Sequence, residues 1–228
     1  MKWQTLHLEI AQGCADELRH RCVSISGQIG KADQMSDILP IHYALSEVAV
    51  AAAGAYACAK AWPVNRWFAI GLAAVALAGL VGAIRIAAGL SGSIVTIHEF
   101  LSRAGALFGL GCMFGAMLAR GQMLPPLLGL AAAALGFLIP ALTAPLLGTF
   151  ILGGAVLAYR TAPSHRLLAA GSFAFLVCAA LFSAPLRETY PGFAWHVFHM
   201  LVASWFVLVA IFVAIPRHDY RQIAKTVA

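Results

Sequence analysis

From residue 42 onward the chain alternates long apolar runs with short polar breaks. Seven runs are legible, at about 42–60, 67–88, 98–119, 124–140, 142–159, 166–184 and 194–215. Each approaches or exceeds the ~20 residues an α-helix needs to cross a hydrocarbon core of ~30 Å. The breaks carry turn and charge signals: Trp62-Pro63-Val64-Asn65-Arg66, Gly89 to Ser93, Arg120-Gly121-Gln122, Thr161 to Arg166, and Pro185-Leu186-Arg187-Glu188. Only Pro140 and Pro145 separate the fourth run from the fifth. The stretch 124–159 is too long for one tilted span, so it is predicted as two helices, giving seven rather than six.

The first 34 residues follow a different pattern. Charged side chains (Glu9, Asp16, Glu17, Arg19, Arg21, Lys31) interrupt any apolar run, which argues against a signal peptide. Trp3, Leu6, Ile10, Cys14, Leu18 and Cys22 recur at three- or four-residue steps, the spacing of one helix face. The expectation is an amphipathic helix lying in the membrane interface, with a leader of little structural role as the other option. Met35 offers an alternative start. The expected organisation is therefore an amphipathic or leader segment over 1–34, a seven-helix transmembrane domain over 35–217 and a cytoplasmic tail over 218–228.

Composition agrees with the pattern. Hydrophobic residues make up 61% of the 228 and charged residues 11%, and a soluble surface needs about twice that charge. With no water to satisfy backbone groups in lipid, uniformly apolar runs must be helices. The expected fold class is an all-α integral membrane protein, a seven-transmembrane-helix bundle with an N-terminal amphipathic segment. Gly, Ala and Ser within the runs, as in GLAAVALAGLVGAI, allow close helix contacts. The net charge of +6 is scattered at the ends of apolar runs, so nucleic acid is not an expected partner. Lys60, Arg66, Arg120, Arg160, Arg166, Arg217, Arg221 and Lys225 all fall on one side of the predicted bundle. By the positive-inside rule that side is cytoplasmic. The expected location is the cell inner membrane, multi-pass, with the N-terminus outside and the C-terminus cytoplasmic. The five cysteines form no metal-type spacing.

The ionisable residues inside the runs gather at the opposite end. His42 and Glu47 open the first helix, Arg85 closes the second, His98, Glu99 and Arg103 open the third, and His196 and His199 open the seventh. Odd helices start, and even helices end, on the same face, so all lie at one depth. Buried ionisable groups face the bundle interior and mark functional sites. His196 and His199, at i and i+3, point to one side of their helix. With His98 or His42 they make a tridentate set suited to Zn²⁺. Glu47 or Glu99 is then the expected catalytic carboxylate, acting as general base or partner to the metal. Arg85 and Arg103, with Ser46, are the expected substrate-binding residues, holding an anionic head group or an oxyanion. The structural alternative is that His and Trp concentrate at membrane interfaces, where Glu99 and Arg103 neutralise each other.

The seven runs, Ser46 and Glu47 in LSEVAVAAAG and the paired histidines of the last helix resemble the seven-helix superfamily of alkaline ceramidases and adiponectin-receptor or progestin-receptor-type proteins. The resemblance implies a zinc ion held by three histidines, two of them from helix seven, and hydrolysis of lipid amide or ester bonds. The chain differs from that pattern in three places. It has H-x-x-H where the family has H-x-x-x-H, and Arg85 where an early-helix histidine is expected. No aspartate occurs between Asp37 and Asp219. Membrane lipids are the expected partners, with a membrane-protein partner or a second copy as a further option. Two other readings stay open. One is a haem-binding membrane subunit using His98 with His196 or His199, and the other is a non-catalytic accessory subunit. A retinal photoreceptor is excluded, because the only lysine beyond Lys60 is Lys225.

Overall fold

A computed structural model describes residues 39–118, 123–162 and 165–214. The amphipathic reading of 1–34, Met35, the tail over 218–228, and Arg120, Arg217, Arg221 and Lys225 lie outside the described residues. Those that are described form seven helical segments and no strand. They are α1 (Tyr43–Ala61), α2 (Arg66–Ala87), α3 (Ser93–Leu118), α4 (Leu124–Leu138), α5 (Thr143–Thr161), α6 (Arg166–Thr189) and α7 (Pro191–Ala214).

Five of them, α2, α3, α5 with its preceding turn, α6 and α7, are long and apolar enough to cross a membrane. The other two fall short for different reasons. α4 has 15 residues. α1 has 19 but places Glu47 and Lys60 among them.

The proline pair acts as expected. A 3₁₀ turn over Pro140–Leu142 separates α4 from α5, and Pro145 falls in the first turn of α5, where a missing N–H costs little. Pro185 behaves otherwise. The expected break there does not form: α6 runs through it to Thr189. A proline near the end of a helix removes one i to i−4 bond and leaves the rest of the ladder intact. α7 starts at Pro191, three residues before its apolar run, because proline is favoured at the first helical position. α3 starts at Ser93 and changes to a π-type turn over Leu101–Gly105 before resuming as an α-helix. Such turns cluster at functional sites.

α1 packs between α2 and α7, α2 packs on α3, α3 on α5, α5 on α6, and α6 returns to α7. α4 packs mainly on α3. The order α7–α1–α2–α3 brings together the four helices that carry His98, His196, His199, Glu47 and Arg85. Small residues set the spacing. A Cβ on Gly71 would lie 2.5 Å from the Gly109 carbonyl oxygen, so α2 and α3 cross backbone to backbone. Lipid supplies no hydrophobic drive between helices, so such close van der Waals contact is what holds them. Trp205, Phe206, Phe173, Leu72, Leu107 and Met113 fill the centre. At the end away from the histidines, the Asn65 side chain caps α2 by accepting from the Phe68 N–H at 3.1 Å. It also donates to the Ala116 carbonyl of α3 at 3.3 Å.

Candidate functional site

Glu47 is the most deeply enclosed charged residue among those described, 1% exposed. It shares a stripe of α1 with Val50, Gly54 and Ala57, all buried, and the geometry that turns those residues inward turns the carboxylate inward too. The approach depends on Gly82 of α2. A Cβ there would lie 2.6 Å from Glu47 Oε1 and 2.7 Å from His98 Nε2, so any larger residue would occupy the space the two side chains share.

Two imidazoles face the same carboxylate oxygen. His199 Nε2 lies 3.2 Å from Glu47 Oε1, and His98 Nε2 lies 3.5 Å from it. Neither contact has hydrogen-bond geometry, and Oε1 makes no hydrogen bond. The far side of the His199 ring is fixed: Nδ1 donates to the Trp195 carbonyl at 2.7 Å, one turn earlier in α7, while the ring stacks on the Trp195 indole. With the proton on Nδ1, a neutral ring leaves Nε2 unprotonated, 3.2 Å from the carboxylate oxygen but not aimed along the line between the two atoms. Two lone-pair donors held this close favour a cation between them, either a proton or a metal ion. His98 is held from its own helix. Ser102, inside the π-type turn, donates to the His98 carbonyl at 2.8 Å, and its Oγ lies 3.5 Å from His98 Nε2.

His196 takes a different partner. Its Nδ1 lies 3.2 Å from Ser46 Oγ, whose own proton goes to the Tyr43 carbonyl at 3.0 Å. The imidazole must therefore donate, which leaves its Nε2 lone pair free. Adjacent residues of α1, Ser46 and Glu47, thus receive His196 and His199 respectively. The i, i+3 spacing brings both rings to α1 but to two separate polar contacts. His42 is exposed, and its ring lies 5.4 Å from that of His196.

The remaining expected site residues divide. Arg85 is buried, 7% exposed, in the last turn of α2 and one turn beyond Gly82, and its Nε has no hydrogen-bond partner. Glu99 and Arg103 are both exposed. The two carboxylate ion-pair contacts among the described residues both involve Glu47, so no Glu99–Arg103 pair forms there. Gly82, Trp195, Ser102 and Tyr43 also contact or bond these side chains and their backbone. Of these, only Ser102 could have been suspected, from its i+4 spacing to His98.

Among the described residues, no group of three or more His, Cys, Asp or Glu side chains stands ready arranged to hold a metal ion. The nearest approach to one is Glu47 with His98 and His199. No family model, curated protein or solved structure matches this chain.

Proposed function

We propose that this protein is a seven-span membrane hydrolase that binds a zinc-type divalent cation through Glu47, His98 and His199 and cleaves amide or ester bonds of membrane lipids. The observation that carries the reading is the pair of contacts at 3.2 and 3.5 Å between Glu47 Oε1 and two Nε2 atoms, without hydrogen bonds. Ligand bonds of ~2.0–2.1 Å in a tetrahedral site put neighbouring donor atoms roughly 3.3–3.4 Å apart. The donor set suits the ion: two imidazoles and one carboxylate, with one ring fixed by a backbone carbonyl as metal-binding histidines usually are. Binding requires the three side chains to turn toward a common point, since they do not form a finished site as folded.

Such an ion supplies Lewis acidity toward a carbonyl oxygen. The protein does the rest. Trp195 holds His199 in the tautomer that presents Nε2, and Gly82 lets the α1 and α3 donors meet. Arg85 offers a buried guanidinium to an anionic group or a developing oxyanion. His196, with its Nε2 lone pair free, takes the proton acceptor role, and Ser46 positions it.

Seven spans follow if α1 and α4, about 28 and 22 Å long at 1.5 Å per residue, also cross. Lys60, Arg66, Arg160 and Arg166 then sit at the cytoplasmic end, and the site opens to the outside. A haem held by His98 and a helix-seven histidine has less support, because Glu47 Oε1 stands against both His98 and His199. The test is an assay of purified protein on mixed amide-linked and ester-linked lipids. The wild type should release fatty acid, a chelator should stop it, and Glu47→Gln should be inactive. Chelator-resistant release, or release by Glu47→Gln equal to wild type, would overturn the reading.

A further inference from the structure

The two halves of α3 are held very differently. Beyond the π-type turn over Leu101–Gly105, eight of the thirteen residues of Ala106–Leu118 are buried. Backbone meets backbone there: a Cβ on Gly109 would lie 2.5 Å from the Gly71 carbonyl oxygen, and one on Gly111 would lie 2.9 Å from the Gly129 Cα. Ahead of the turn, His98 is the one buried residue of Ser93–Phe100, and its neighbours Ile97 and Glu99 are exposed. The rotation of this first segment therefore depends on a single side chain. Ser102 loosens the junction, because its donation to the His98 carbonyl at 2.8 Å is the kind of back-bond that bends a helix.

An α-helix advances about 100° per residue, and an i to i+5 turn holds one residue more than an i to i+4 turn. The π-type turn thus absorbs one extra residue. A continuous α-helix through the same sequence, pinned at Gly109 and Gly111, would rotate everything ahead of the turn by about 100°. His98 would swing away from α1, and Glu99 would take its direction. The carboxylates of Glu47 and Glu99 would then be buried against each other, which desolvation and like charge both oppose. We infer that the π-type turn is a register device: it seats His98 instead of Glu99 against Glu47, and the His98 side chain keeps the turn in place. The selection of His98 needs no metal. Its value to catalysis rests on the hydrolase reading, which zinc content tests separately.

The experiment introduces Glu99→Cys into a full chain freed of its five cysteines. Reaction of the new thiol with a small maleimide in detergent is measured relative to the same protein denatured. Three further variants are compared: His98→Ala, deletion of Arg103, and both together. Arg103 is an exposed residue of the turn, so its deletion should leave a continuous α-helix with His98 still inward. The thiol should react readily in the parent and in the deletion variant, and the latter should unfold no earlier than the parent. With His98→Ala the turn should relax, and labelling should fall several-fold. With His98→Ala and the deletion together there is no extra residue to release, so labelling should return to the parent level. Full labelling in His98→Ala, an equal fall with and without the deletion, or a deletion variant that does not fold would overturn the inference. Zinc bound by the wild type but lost on deletion of Arg103 would overturn it too, and equal zinc in both would support it. The expected labelling pattern in a protein that never holds zinc would support the register device and count against the hydrolase reading alone.

Discussion

Glu47 Oε1 lies 3.2 Å from His199 Nε2 in a pocket where the carboxylate is 1% exposed, and the two atoms share no hydrogen bond. An ionised carboxylate buried in an apolar bundle is stable only beside a compensating cation. Replacing Glu47 with Gln keeps the shape and removes the charge. The expected outcome is a folded protein with metal affinity lowered by more than about tenfold. Isothermal titration with zinc checks it, and equal affinity in both proteins would remove Glu47 from the ligand set.

The two histidines of α7 should behave differently, although they sit one turn apart. If His199 is a ligand of the proposed zinc site, His199→Ala should abolish metal binding. His196→Ala removes a ring bonded to Ser46 and should leave metal content near wild type while lowering the turnover number. Metal analysis alongside steady-state kinetics separates the two. Equal metal loss in both variants would mean that His196 turns inward as a ligand.

Gly82 gives a stability test that needs no ligand. Its Cβ position falls 2.6 Å from Glu47 Oε1, so Gly82→Ala overpacks the site and should cost about 1–3 kcal/mol. Gly148 of α5 has nothing within 4 Å of a Cβ, so Gly148→Ala should be neutral or stabilising by up to ~1 kcal/mol. Thermal unfolding in detergent measures both. A Gly82 variant as stable as Gly148→Ala would mean that the α1–α2 spacing at the site is looser than described.

Orientation is tested by single cysteines introduced into a cysteine-free variant. Residues at the Trp62–Asn65 end should react with a membrane-impermeant maleimide only from the cytoplasmic side, and residues at Gly89–Gly92 only from outside. The reverse pattern would place the site at the cytoplasmic face.

Much of the helical framework was legible because lipid leaves the chain few alternatives. Apolar runs of 15 to 26 residues become helices, and helix parity then puts Glu47, Arg85, His98 and His199 at one end. The break at Pro185 was misread because proline halts a helix only where the lost bond cannot be absorbed, and near a C-terminus it can. The gathering of His, Glu and Arg side chains at one end was legible, but their individual partners were not. Spacing alone brings His196 and His199 to one face, but it cannot show that Ser46 takes one ring while Glu47 takes the other. Nor does a glycine in GLVGAIR announce that two helices need its missing Cβ. Glu99 and Arg103 looked equivalent to His98 in the sequence, yet a helix turns successive residues through about 100°, and these two face outward.

On the proposed function, Glu47, His98 and His199 share one cation. Elemental analysis of the detergent-purified wild type, His98→Ala and His199→Ala proteins, each expressed with added zinc, tests it most directly. Close to one equivalent of zinc or a similar divalent metal is expected in the wild type, and little in either variant. A folded wild-type protein without bound metal, or variants that retain the full equivalent, would contradict it.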